Sequence, residues 1–157
     1  MSRARIDIAG LLAIGEAVPL ADDPRLAGLA ALCLQMGDRP PGRDQPVREV
    51  MARLGDNWSA LVLKVLATGT FRHATLKRVI GALSAEGEIS QRMLTLRLRA
   101  LERDGFVSRI EHDTVPPRVD YFLSPLGREL VSEIDRLIRW IEAQEDQILR
   151  ARREFTG

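Results

Sequence analysis

Between Ser90 and Leu130 the chain runs through an arginine-rich segment of helical period, a glycine turn, two β-rich runs around a Pro-Pro tip, and a fresh helix start. Few folds accept that order in so short a span. Ser90 is a good N-cap for residues 91 to 103, and Asp104-Gly105 puts glycine at the place where a helix closes in the left-handed conformation. Residues 106 to 112 and 118 to 123 are rich in β-branched and aromatic side chains. Asp113-Thr-Val-Pro-Pro117 joins them as a stiff tip that cannot extend the ladder. Ser124 and Pro125 then supply the N-cap and first position of a last helix, expected to continue to Arg153.

The upstream chain is helical by period. A first short helix is expected from about Ile6 to Ala17, and a second from Asp22 or Asp23, with Pro24 at its first position, to Gly37. The second carries Leu26, Leu29, Leu32, Cys33 and Met36 at helical spacing and wants burial on more than one side. A Pro- and Gly-rich loop leads to Pro46, after which Val47, Val50, Met51 and Leu54 form one stripe. Asp56 can cap the next helix, with Trp58, Leu61, Val62, Val65 and Leu66 apolar, and a third covers about His73 to Leu83 with Leu76, Val79 and Ile80 inward. The expected fold is mainly α with a small β-hairpin. It is a winged helix-turn-helix with an N-terminal helical extension and a long C-terminal dimerisation helix. Its divisions are residues 1 to 37 for the extension, 38 to 45 for a linker, 46 to 124 for the winged helix-turn-helix and 125 to 157 for the last helix.

Composition excludes several function classes. The formal charge is +1, from 23 basic and 22 acidic residues, so the chain as a whole is no general polyanion binder. Lys64 and Lys77 are the only lysines; the other cations are arginines, whose planar fork suits phosphate and guanine, although a coding bias would produce the same preference. The single Cys33 rules out an intramolecular disulfide and a cysteine-based zinc site, and within an apolar helix it reads as structural rather than as a sensor. Arg3 and Arg5 precede apolar residues, but Asp7 and Glu16 interrupt the run, so a secretory signal is not expected. No apolar stretch approaches the roughly 18 to 20 residues of a membrane span. A cytoplasmic protein is expected. His73 and His112 lie on different elements, and no phosphate loop, nucleophile elbow or metal-spaced cluster occurs. Neither an enzyme nor a metal or other cofactor is expected.

Turning the basic helix at 100° per residue separates its two faces. Leu94, Leu98 and Leu101 fall in a narrow arc with Met93 at the edge, so they face the core. Arg92, Thr95, Leu96, Arg99 and Arg103 cluster opposite. Arginines there can clamp phosphate or grip guanine, Thr95 can hydrogen-bond a base or the backbone, and Leu96 can touch a thymine methyl. In the hairpin, Arg109 and Arg118 lie nearest the tip; Arg118 is favoured because it follows Pro-Pro directly, while Glu111, Asp113 and Asp120 can pair with both.

Residues 46 to about 130 resemble the HxlR family of bacterial winged helix-turn-helix transcriptional regulators, relatives of the MarR-like regulators. The matching residues are Pro46-Val-Arg-Glu-Val50, Leu54-Gly-Asp-Asn-Trp58, Leu76-Lys-Arg78, Ile89-Ser-Gln-Arg-Met-Leu-Thr95, Leu98-Arg-Ala-Leu-Glu-Arg-Asp-Gly105, Val115-Pro-Pro-Arg-Val-Asp-Tyr121 and Leu123-Ser-Pro-Leu-Gly127. The resemblance implies a homodimer whose Ser90 to Arg103 helix lies in the major groove of double-stranded DNA, with the hairpin as wing. Departures are informative. The cysteine that often precedes the Pro46 equivalent, and that some members use for redox sensing, is Gln45 here. The usual Lys before the Trp is Asn57, and a common Phe of the third helix is His73, read first as packing and second as a pH-responsive or ligand-contacting group. The turn from Gly81 to Glu88 is longer than usual.

These observations lead to a sequence-specific DNA-binding regulator, dimeric on an inverted repeat, with Ser90, Gln91, Arg92, Thr95, Leu96, Arg99, Arg103 and Arg118 at the DNA. The 4-3-4 spacing of Leu130, Ile134, Leu137 and Ile141, joined by Leu29 and Leu32 of the extension, marks the expected dimer interface. A small-molecule effector is left open; its place would be where Trp58, the N-terminal helices and the last helix could meet. The competing reading is a winged helix used for protein contact without specific DNA binding, which near-neutral net charge supports.

Overall fold

The computed structural model describes residues 7–14, 17–36 and 42–157. It divides into two compact units, Met1–Ala52 and Arg53–Gly157. The first contains α1 (Ile8–Leu12), α2 (Pro24–Gln35) and most of α3 (Pro46–Leu54), and none of the three helices buries a residue. Asp23 caps α2 by accepting from Arg25 N at 2.9 Å, with Pro24 at the first position as expected. α1 is shorter than expected. Asp7 caps it and it closes at Leu12, with Ala13 as its C-cap. Its expected start at Ile6 and the residues Gly15 and Glu16, like Arg3, Arg5 and the expected stop at Gly37, lie outside the described residues.

In the second unit, α4 (Ser59–Leu66), β1 (Phe71–Arg72), α5 (His73–Leu83) and α6 (Gln91–Arg103) lead into β2 (Val107–His112), β3 (Arg118–Leu123), α7 (Pro125–Ala143) and α8 (Glu145–Glu154). Most of the core lies where the periods put it: Val62, Val65 and Leu66 from α4, Leu76 and Ile80 from α5, and Leu94, Leu98 and Leu101 from α6 are buried, while Leu63 is buried without having been expected and Val79, expected inward, is half-buried. Leu123, Val131 and Ile134 close it from the far side. Each such side chain contributes about 1.5 to 3 kcal/mol relative to exposure. Glycine at 105 closes α6 as the turn demands. Its φ is +81°, Gly105 N donates to Glu102 O and Phe106 N donates to Leu101 O, both at 2.9 Å.

Three features of this second unit differ from the sequence expectation. The hairpin is part of a three-stranded antiparallel sheet, ordered β1-β3-β2, because Phe71 and Arg72 pair with Tyr121 and Asp120. Two residues are too few to show a period, so this strand is invisible locally. The last helix is not continuous to Arg153. It is interrupted at Gln144 (φ −101°, ψ 4°), and α8 begins with Glu145 and Asp146 and ends with Arg152 and Arg153, the charge order that favours a separate helix. Asp56 does cap α4, but from two residues before the cap position. One carboxylate oxygen accepts from Trp58 N at 2.7 Å and Ser59 N at 2.6 Å, and the other from Ser59 Oγ at 2.6 Å.

That second oxygen also lies 3.2 Å from Arg97 of α6, so one carboxylate starts α4 and ties it to the basic helix. Replacing Asp56 with Ala removes a cap worth about 1 kcal/mol and strands the fully buried Ser59 hydroxyl, which costs about 1 kcal/mol or more. The expected loss is about 2 kcal/mol in urea unfolding. A change within a few tenths of wild type would show that solvent replaces these bonds without cost.

Candidate nucleic-acid interface

The site begins with the capping of α6. Ser90 Oγ accepts from Met93 N at 3.1 Å, so the first turn is fixed and the remaining N-terminal amides point outward. Leu94, Leu98 and Leu101 turn inward, which leaves Gln91, Arg92, Thr95, Leu96 and Arg99 lining one open surface on the opposite side. All five are among the eight residues expected at the DNA; Arg103, expected on this same face, does not line the surface. Arg92 and Arg99 are exposed, and among the described residues no carboxylate pairs with either. Two forks seven positions apart on a helix stand about 10 Å from each other along its axis.

The other cations of this helix are committed. Arg97 reaches back to Asp56, and its Nε is buried. Arg103 bonds Asp104 at 3.1 Å, and the same carboxylate holds Arg53 at 2.6 Å. Helical facing assigns Arg103 to the outer face, yet an adjacent acid at the helix end captures it. Arg97 lies between the two faces, where only the tertiary position of Asp56 decides its role.

Thr95 is also engaged. Its hydroxyl donates to Gln91 O at 2.9 Å and sits 3.0 Å from His73 Nε2. The Thr95 oxygen therefore bridges α6 and α5, and the direction of its bond to His73 follows the tautomer of the ring. Burial, and secondarily the charge of Lys77, pushes the His73 pKa below its ordinary value, which favours the neutral ring carrying one proton. Its other neighbour is Tyr121 of β3, edge-on with ring centroids 6.3 Å apart. His73, expected as packing, therefore joins the sheet to the outer face of α6.

On the wing, β2 and β3 pair from Val107↔Leu123 to His112↔Arg118, and Val115 stands fully exposed at the tip. Arg118 is held by the nearly buried Asp120 through Nε–Oδ1 at 3.0 Å and a second contact at 2.8 Å, and His112 Nε2 donates to the same carboxylate at 2.9 Å. Arg109 is bound to Glu111 at 3.2 Å. Both arginines thus have the acidic partners anticipated for them, but Arg118 keeps N–H groups facing solvent.

The Arg118 hydrogen bonds, followed by that from His112, hold the Asp120 carboxyl below its ordinary value of 3.8 against the opposing effect of burial. A carboxyl whose folded pKa is depressed stabilises the fold above the unfolded value, and that stability is lost as pH falls through the folded one. Wild type is therefore expected to lose more melting temperature than Asp120→Asn between about pH 5 and about pH 2. Parallel acid titrations of thermal stability check this; equal losses would mean the wing pair is not coupled to folding.

Among the described residues no three His, Cys, Asp or Glu side chains are placed to hold a metal ion, and no helix is long and apolar enough to cross a membrane.

A family model described as HxlR-like helix-turn-helix matches residues 53–148. The HTH-type transcriptional regulator YtfH of Escherichia coli (strain K12) is 39% identical over 109 residues, covering 69% of this chain and 82% of that protein. The solved structure of a transcriptional regulator, ytfH from Salmonella typhimurium, matches with a TM-score of 0.58 and 36% identity over 72% of this chain and 96% of that one. The redox regulator HypR in its reduced form matches with a TM-score of 0.56 and 32% identity, over 68% of this chain and 99% of that one.

Proposed function

The chain belongs to the HxlR-like helix-turn-helix family of DNA-binding transcriptional regulators, and from that premise we propose that it binds an inverted repeat in double-stranded DNA as a homodimer. The observation that carries this reading is the outer face of α6. Arg92 and Arg99 stand free of carboxylate partners on either side of Thr95 and Leu96, with Ser90 and Gln91 at the helix start. Forks so placed suit the O6 and N7 acceptors of guanine, and the helix N-terminus suits a phosphate. Arg118 contributes from the wing through the N–H groups that Asp120 leaves unused, while Arg103 is the weakest member of the set because Asp104 holds it.

The dimer is supported by what the chain leaves bare. α7 is packed through Val131 and Ile134, but Leu137, Trp140 and Ile141 are 54%, 61% and 45% exposed. The interface then begins where the core contact of α7 ends: Ile134 serves the protomer's own core, and Leu137, Trp140 and Ile141 serve the partner. Within the extension, Leu32 is exposed and Leu29 half-buried. A two-fold pair of α6 helices requires half-sites about one turn, roughly 34 Å, apart.

The test is selection of bound sequences from random duplex DNA, followed by affinity measurement over a salt series. The expected result is an enriched inverted repeat and a log-log salt slope of about −0.9 for each phosphate contacted. A flat slope with no enriched motif would favour the same scaffold as a protein-contact module. Gln45 stands where some relatives carry a cysteine, so no thiol switch at that position enters the reading.

A further inference from the structure

Thr95 is the one polar side chain in the middle of the α6 outer face, and its hydrogen-bonding capacity is largely spent within the protein. Its one proton is directed into the protein, with Gln91 O at 2.9 Å and His73 Nε2 at 3.0 Å from the same hydroxyl oxygen. It has no donor left for a base. With the hydroxyl turned back toward the preceding turn and toward α5, its methyl is the group left for the open surface. That surface is lined almost entirely by carbon, contributed by Gln91, Arg92, Thr95, Leu96 and Arg99 together. Leu96 adds an exposed side chain beside it.

In the major groove, thymine is the unmodified base that presents a methyl group, whereas guanine, cytosine and adenine present hydrogen-bonding edges. An apolar floor between two arginine forks therefore differs in chemistry from its borders. We propose that Thr95 and Leu96 form a methyl-reading floor that selects thymine within each half-site, and that His73 is the positioning residue that turns the Thr95 methyl outward. The inference rests on the DNA-binding reading and assigns a base to its centre. His73 reaches Thr95 from the first residue of α5 while its ring lies edge-on to Tyr121 of the sheet, so the rotamer of Thr95 is set from outside α6.

The test replaces each thymine of a selected duplex with deoxyuridine, one at a time, and measures affinity for the full-length chain together with the salt slope. Loss of one well-packed methyl contact corresponds to about fourfold in affinity. The expected result is one uridine-sensitive position in each half-site. Thr95→Val keeps the thymine preference because it keeps the methyl, and Thr95→Ser abolishes it although it keeps the hydroxyl. His73→Ala lowers the preference, and His73→Gln, whose amide can bond the Thr95 hydroxyl, recovers part of it. Reading through the hydroxyl would give the reverse order of Val and Ser and would overturn the proposal. A steep salt slope with no uridine-sensitive thymine removes the methyl floor and leaves DNA binding standing; a flat slope takes both down.

Discussion

Gly127→Ala is expected to lower the stability of the unit formed by residues 53 to 157 by about 3 kcal/mol or more, at or above the usual range for overpacking. Gly127 lies in the first turn of α7, buried against the turn that follows α6. A Cβ built on it would stand 2.0 Å from Phe106 O and 2.9 Å from Phe106 C. The obstacle is backbone, so rotamer change offers no relief. Nor is that backbone free to retreat: Phe106 N closes α6 on Leu101 O at 2.9 Å, and Phe106 O accepts from Ser124 N at 3.0 Å. Ser124 locks the junction from the other side. Its hydroxyl accepts from Gly127 N at 3.0 Å and donates to Gly105 O. A melting temperature lowered by about 10 °C or more is expected for a unit of this size. A variant that melts within about 2 °C of wild type would show that α7 can slide outward at little cost. The junction sets where α7 leaves the sheet, so the substitution is also expected to weaken DNA binding in any fraction that folds.

The parts of this arrangement that depend on neighbouring residues in the chain were legible from sequence. Ser90, Asp23 and Ser124 as caps, Pro24, Pro46 and Pro125 as first helical residues, Gly105 as the α6 terminator, and the inward arc of Leu94, Leu98 and Leu101 all follow from local geometry. The parts that depend on distant partners were not. β1 exists because β3 offers it an edge. Asp56 reads as a cap, but its hold on Arg97 across 41 residues of sequence appears only once α4 and α6 pack together. The role of His73 depends on α5 placing its first residue beside Thr95. A signal for some of these pairings was present as the excess of acids next to arginines, at Asp104 and Asp120 in particular, yet adjacency cannot tell which fork each acid takes. The break at Gln144 had a legible sign, a polar residue in the apolar seam followed by two acids, and the continuous period of the flanking residues masked it.

Replacing both Arg92 and Arg99 with Ala is expected to reduce specific DNA affinity by on the order of a hundredfold for each half-site, without unfolding the chain. Each fork is worth about 1 to 3 kcal/mol where it grips a guanine edge. The two stand about 10 Å apart along the helix and share no protein partner, so their losses should be nearly additive. Neither side chain is part of the core, and neither makes an ion pair whose loss would strand a buried charge, which separates them from Arg97 and Arg53. Thermal stability should therefore stay near wild type while binding falls. The salt series then distinguishes base reading from phosphate clamping. If the forks read bases, each single variant lowers affinity for the selected site, flattens preference at one base pair and leaves the salt slope unchanged. If they hold phosphates, affinity falls alike for all sequences and the slope decreases by about 0.9 for each arginine lost. Retention of full specific affinity by the double variant would exclude the outer face of α6 as the reading surface. Arg118 would then be the remaining exposed candidate, and the wing, not the helix, would have to carry sequence discrimination through the N–H groups that Asp120 leaves to it.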